Sequence, residues 1–155
     1  MMKKTRAILL VIMVILGLVN VPGKSVKAAE LLECVDGSYL TEDKSSEGEA
    51  VNITRGIYLK SGTSSIAKAG TGKITAGGRT VGQKVVSTIE VTVRVERLVN
   101  GKWTTYTSWN TTKKNAALVS SSKTMSVPTG YYYRVYCIHV ADSDRSDSFT
   151  DGIYI

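Results

Sequence analysis

Between residues 85 and 98, apolar and polar side chains alternate almost without a break. Ile89, Val91, Val93 and Val95 take one parity, while Glu90, Thr92, Arg94 and Glu96 take the other. A period of two marks a strand with one dry and one wet face, and no helix can bury such a pattern. Asn100-Gly101 follows directly. That dipeptide suits a type I′ hairpin turn, because both central positions need positive φ. Such a turn pairs Val99 with Lys102 and returns residues 103–109 alongside. Antiparallel pairing is therefore expected at the centre of the fold.

The remaining segments agree. Apolar or β-branched runs at 56–60, 64–69, 73–76, 118–127, 131–141 and 149–155 are separated by Gly-, Pro-, Asp- and Ser-containing stretches. Gly77-Gly78 is expected to end one strand, residues 142–147 to form a loop, and residues 113–118 offer the one place for a helical turn. Seven or eight short strands with frequent turns indicate an all-β domain, a two-sheet antiparallel sandwich of immunoglobulin-like type. Tyr133, just after Pro128-Thr129-Gly130, is the candidate for a tyrosine corner, its hydroxyl bonding back to upstream backbone.

Residues 1–28 have a different character. Lys3, Lys4 and Arg6 precede an apolar run at 7–19, and Val26-Lys27-Ala28 sets small residues around a cleavage site. This is the pattern of a secretory signal peptide cleaved after Ala28. A membrane anchor is the rival reading, but only 17 uncharged residues separate Arg6 from Lys24, against roughly 20 for a spanning helix. No stable membrane insertion is expected after cleavage. Residues 29–54 follow as an acidic, loosely ordered lead-in, and residues 55–155 as the sandwich domain.

The signal segment also changes the charge. The whole chain carries 20 basic and 13 acidic residues, a net charge of +7. Five bases leave with residues 1–28, so residues 29–155 retain +2. Residues 29–52 carry −6 and residues 53–134 carry +11. The basic residues are spread over many strands, with no recognition helix or zinc-finger spacing, and export separates the protein from intracellular nucleic acid. Nucleic acid is therefore not an expected partner. An anionic envelope polymer, a glycan or a surface protein is.

Few residues bear chemistry. Cys34 and Cys137 are the only thiols, and an even count in an exported chain makes them a disulfide candidate or two free thiols. His139 is the only histidine and shares strand parity with Cys137. A packed strand histidine and half of a Cys–His dyad are both open readings. Asp142, Asp144 and Asp147 form a weak calcium candidate or a solvated turn, without the spacing of an EF-hand. Trp103, Tyr106, Trp109 and Arg94 are a surface-binding candidate if the hairpin register is regular. Both tryptophans then leave the core face, whereas a bulge would turn them inward. No cofactor is implied.

Three runs carry a resemblance: Glu33-Cys34-Val35-Asp36-Gly37-Ser38-Tyr39-Leu40-Thr41, Arg97-Leu98 with Gly101-Lys102-Trp103, and Gly130-Tyr131-Tyr132-Tyr133-Arg134-Val135. Together they resemble a family of small secreted proteins of Gram-positive, largely clostridial, bacteria, classed as a domain of unknown function. The resemblance implies a secreted all-β protein and assigns no residue a role. The expected function is that of a secreted, non-catalytic binding module at the cell envelope or a target surface. A secreted toxin or antimicrobial factor and a small hydrolase are the alternatives.

Overall fold

The structure, a computed structural model, describes residues 33–50 and 56–155. The export segment expected at 1–28 and the expected domain boundary at 54–55 lie outside them. The described residues form nine strands and no helix: β1 (Cys34–Val35), β2 (Ser38–Thr41), β3 (Ser45–Glu49), β4 (Leu59–Gly70), β5 (Lys73–Val99), β6 (Lys102–Ser126), β7 (Tyr132–Ala141), β8 (Asp144–Phe149) and β9 (Gly152–Tyr154).

The all-β expectation holds, but the architecture differs from two separate antiparallel sheets. The nine strands are one sheet, ordered β1-β2-β9-β7-β5-β4-β3, with β6 pairing β5 and β8 pairing β7. One pair, β2 with β9, is parallel. The reason is the length of β5 and β6, 27 and 25 residues. Their pairing slips between Val81 and Val86, and beyond that point β5 changes its second partner from β4 to β7. The sheet thus doubles back into a half-barrel whose two arms face each other. Trp109 and Ser121, both in β6, meet across the fold at 3.0 Å.

The core lies between the arms. Ile66, Ile74 and Ala76 from one arm face Val91, Val93, Val95 and Val135 from the other, all buried. Gly77-Gly78 does not end a strand but lies within β5. A Cβ on Gly78 would come within 2.6 Å of Cys137 Sγ and 2.9 Å of Val91 Cγ2, so the missing side chain lets the arms close. The expected 142–147 loop is shorter: Asp142 (φ 47°) turns the chain directly into β8. Residues 113–118 are strand rather than a helical turn, with Asn115 at φ 49°.

The acidic segment, expected as a loose lead-in, supplies β1, β2 and β3. Low hydrophobicity misleads here because the existing sheet provides the partners. β3 pairs with β4 from Ser45↔Ala67 to Glu49↔Thr63, and the Ser46 hydroxyl accepts the Asp151 N–H at 3.0 Å. Arg134, not a disulfide, holds β1 and β2: its guanidinium donates to the Asp36 carbonyl (3.2 Å) and the Ser38 hydroxyl (3.0 Å).

Candidate functional site

The hairpin between β5 and β6 decides which side chains reach the surface. Asn100 and Gly101 both have positive φ, and Val99 pairs with Lys102 and Leu98 with Trp103. The register then shifts at Val95/Glu96, where Glu96 faces Thr105 and Val95 faces Thr107. Tyr106 is the extra residue of this bulge. An odd insertion reverses parity for everything beyond it. Trp109 consequently pairs with Val93 rather than Thr92, and faces inward.

The two tryptophans therefore do not form a platform. Trp103 lies half-buried on the outer face, its indole N–H donating to the Val35 carbonyl at 3.0 Å and the Arg134 guanidinium 4.6 Å from its ring. Trp109 packs at the margin of the core, with Lys123 Nζ 4.7 Å from its ring. Arg94 is drawn over Tyr136 (5.3 Å) and towards Glu96 (3.6 Å). Of the four surface-binding candidates, Tyr106 alone stands well out, 40% exposed.

Tyr106 instead joins a cluster that sequence reasoning missed. Arg97 is held between the rings of Tyr106 (5.8 Å) and Tyr131 (4.5 Å). Tyr133 supports it from below: its ring meets Tyr106 edge-on at 5.9 Å. The Tyr133 hydroxyl donates to the Pro128 carbonyl at 2.8 Å. Burial raises the Tyr133 pKa, and Arg97 offsets part of that rise. The bond to Pro128 ties down the turn that presents Tyr131, itself 38% exposed. Arg97 forms no ion pair with a described carboxylate. The available signal was pairing: Arg97 sits directly opposite Tyr133 in the β5–β7 ladder.

The remaining candidates serve the fold. Cys34 is exposed in β1 and Cys137 is buried in β7; both are free, so no disulfide joins them. Cys137 points into the core, where burial pushes its thiol up to about 12, and it lies 3.7 Å from the Gly77 carbonyl. His139 is fully buried, with Nδ1 2.8 Å from Thr80 Oγ1 and Nε2 2.8 Å from Ser148 Oγ. Thr80 spends its only hydroxyl proton on the Glu90 carbonyl, so Nδ1 carries the ring hydrogen and Ser148 donates to Nε2. Burial lowers the His139 pKa to about 4. Both nitrogens are thus engaged by hydroxyls and neither by Cys137.

The aspartates diverge rather than converge. Asp142 accepts the Thr88 N–H at 2.8 Å, and Asp144 accepts the Tyr58 and Leu59 N–H groups at 2.6 and 3.0 Å. Those backbone bonds lower the Asp144 pKa. Asp147 faces Tyr136 and the Arg145 guanidinium, 4.0 Å away. Among the described residues no group of three or more His, Cys, Asp or Glu side chains could hold a metal.

A second surface feature lies on the opposite arm. Thr63–Ser65, Gly77–Arg79 and Ser120–Ser122 with Glu47 line a shallow trough of about 480 Å³. It is rich in hydroxyls and carries no nucleophile–base pair. Among known proteins, the model of the family described as "Family of unknown function (DUF6147)" matches residues 28–152. No curated protein matches the chain.

Proposed function

The chain belongs to that family of unknown function, and on this premise we propose that it is a secreted, non-catalytic binding module that grips its target through the Arg97 clamp. The observation that carries the reading is a guanidinium held between two exposed tyrosines with no carboxylate beside it. Tyrosine offers large contact area at low entropic cost, and Tyr and Arg are the usual anchors of binding surfaces. The rigid support beneath, from Tyr133 to Pro128, keeps the clamp in shape before any target arrives.

The use of the thiol and imidazole supports a non-catalytic reading. Cys137 and His139 are both buried, and hydroxyl groups occupy the ring nitrogens. The export pattern at 1–28 supports an extracellular place of action, as in a Gram-positive secreted protein. The target is an envelope polymer, a glycan or a surface protein.

Retention of the purified protein on isolated cell walls, immobilised glycans and host-cell surfaces tests this. Binding to at least one is expected, falling roughly tenfold or more in Tyr106→Ala or Tyr131→Ala. Absence of retention on all of them at low salt overturns the reading. Undiminished retention of both variants removes the clamp as its site.

A further inference from the structure

Among the described residues β6 has one neighbour. Its 25 residues pair with β5 from Val99↔Lys102 to Lys73↔Ser126, and no described residue pairs with its other side. In an antiparallel strand, alternate residues turn both backbone groups away from the partner. About a dozen residues of β6 therefore offer an unpaired N–H and C=O outward. Soluble proteins usually keep such edges short or blocked. This one is broken only by the Tyr106 bulge and the left-handed Asn115, which leave regular runs at 107–114 and 118–126.

The other free edges are different. β1 has two residues, and β8, also paired on one side only, has six, with Asp144 bound to the Tyr58 and Leu59 N–H groups. β3 lies close against the other arm, where a Cβ on Gly48 would overlap the Phe149 carbonyl oxygen. β6 also has a distinct chemistry: Lys102, Lys113, Lys114 and Lys123, eleven Ser or Thr residues, and no acid. None of these lysines meets a described carboxylate. A second copy of β6 laid alongside would bring lysines towards lysines, so the strand does not complement itself.

We propose that the β6 edge receives an extended acidic segment of another polypeptide as an added strand. This goes beyond the Arg97 clamp, which shares only Tyr106 with β6, and uses the backbone edge at 107–126. The free backbone groups supply the ladder, as in other strand-addition complexes. Carboxylates on one face of the incoming segment pair with Lys113 in the first run or Lys123 in the second, and those on its other face with Lys114, because successive strand residues point to opposite faces. That charge pattern sets which segment binds and in what register.

The test uses the purified protein and three probes: a ten-residue peptide alternating Glu and Val, its Lys-for-Glu counterpart, and inorganic polyphosphate. The acidic peptide is expected to bind and to slow hydrogen exchange at alternate β6 amides. In the double variant Lys113→Glu, Lys114→Glu its affinity falls at least tenfold, while the basic peptide gains affinity. Tyr131→Ala, which disturbs the clamp and lies outside β6, leaves peptide binding unchanged. Failure of the acidic peptide to protect β6 overturns the proposal. So does binding of polyphosphate and peptide alike with β6 exchange unaltered, because the edge is then an electrostatic patch only.

Discussion

His139 on the inner face of β7 and Arg134 on its outer face are both buried, with 0% and 6% exposure, yet they are solvated by the protein in opposite ways. His139 stays neutral among Val91, Val135 and Cys137 and is satisfied by the hydroxyls of Thr80 and Ser148. Arg134 keeps its charge. It donates to Glu96 at 2.8 Å and lies between the rings of Trp103 (4.6 Å) and Phe149 (5.5 Å). The inner face is enclosed by both arms, and burial there outweighs the pull of Asp147 on a charged imidazole. Among the described residues the outer face is covered by β1, β2 and two rings, where a carboxylate and a backbone carbonyl can reach the guanidinium. One strand thus hosts a neutral and an ionic centre because the covering layers differ.

The largest effect should come from halving the ionic centre. Arg134→Ala leaves buried Glu96 with only the half-exposed Arg94 guanidinium at 3.6 Å, frees β1–β2, and should cost about 3 kcal/mol in denaturant unfolding. Replacing both partners by apolar residues, Arg134→Met with Glu96→Leu, should cost far less. Equal losses would mean that packing, not charge, makes the centre.

The neutral centre should show itself through pH. The folded His139 pKa of about 4 lies below its ordinary 6.5. The unfolded chain therefore takes up the proton first as pH falls. Stability from this group is complete above pH 6.5, is lost on descending to pH 4, and changes no further below. The loss is about 3 kcal/mol. Subtracting the profile of His139→Gln isolates it from the carboxylates. A difference profile flat between pH 4 and 6.5 would show that the imidazole is not held neutral.

Steric fit around the ring should give a smaller effect. A Cβ on Gly62 would lie 2.2 Å from His139 Cδ2. Gly62→Ala should destabilise by about 1–3 kcal/mol, and most of that cost should vanish in a His139→Ala background. Additive losses would break the assigned contact.

Tyr133→Phe removes only the hydroxyl bond to Pro128 and should cost about 1 kcal/mol. Retention by the Arg97 clamp should fall with it. Smallest of all, thiol titration of the native protein should find Cys34 reactive at once and Cys137 only after unfolding. Finding no free thiol before reduction would reinstate the disulfide.

Much of the fold was legible in local pattern. The alternation along 85–98 became the central stretch of β5, and the Asn100-Gly101 turn set the start of its hairpin. The bulge at Tyr106 was not legible, since nothing in Thr104-Thr105-Tyr106-Thr107 distinguishes one parity from the other. That single residue separated the two tryptophans and dissolved the expected platform. The clamp escaped notice for a related reason. Arg97 and Tyr131 are 34 positions apart, and only the β5–β7 ladder brings them together.

The sequence by itself determined the secondary-structure class, the antiparallel hairpin and the face of β5 that must be dry, because these depend on periods of two and on turn chemistry within a few residues. Tertiary structure alone decided that β5 and β6 double back, that the acidic segment finds strand partners, and that Cys34 and Cys137 stay apart. Each of these depends on which distant backbone and side chains supply the missing hydrogen bonds and cover, and no local run of residues encodes that.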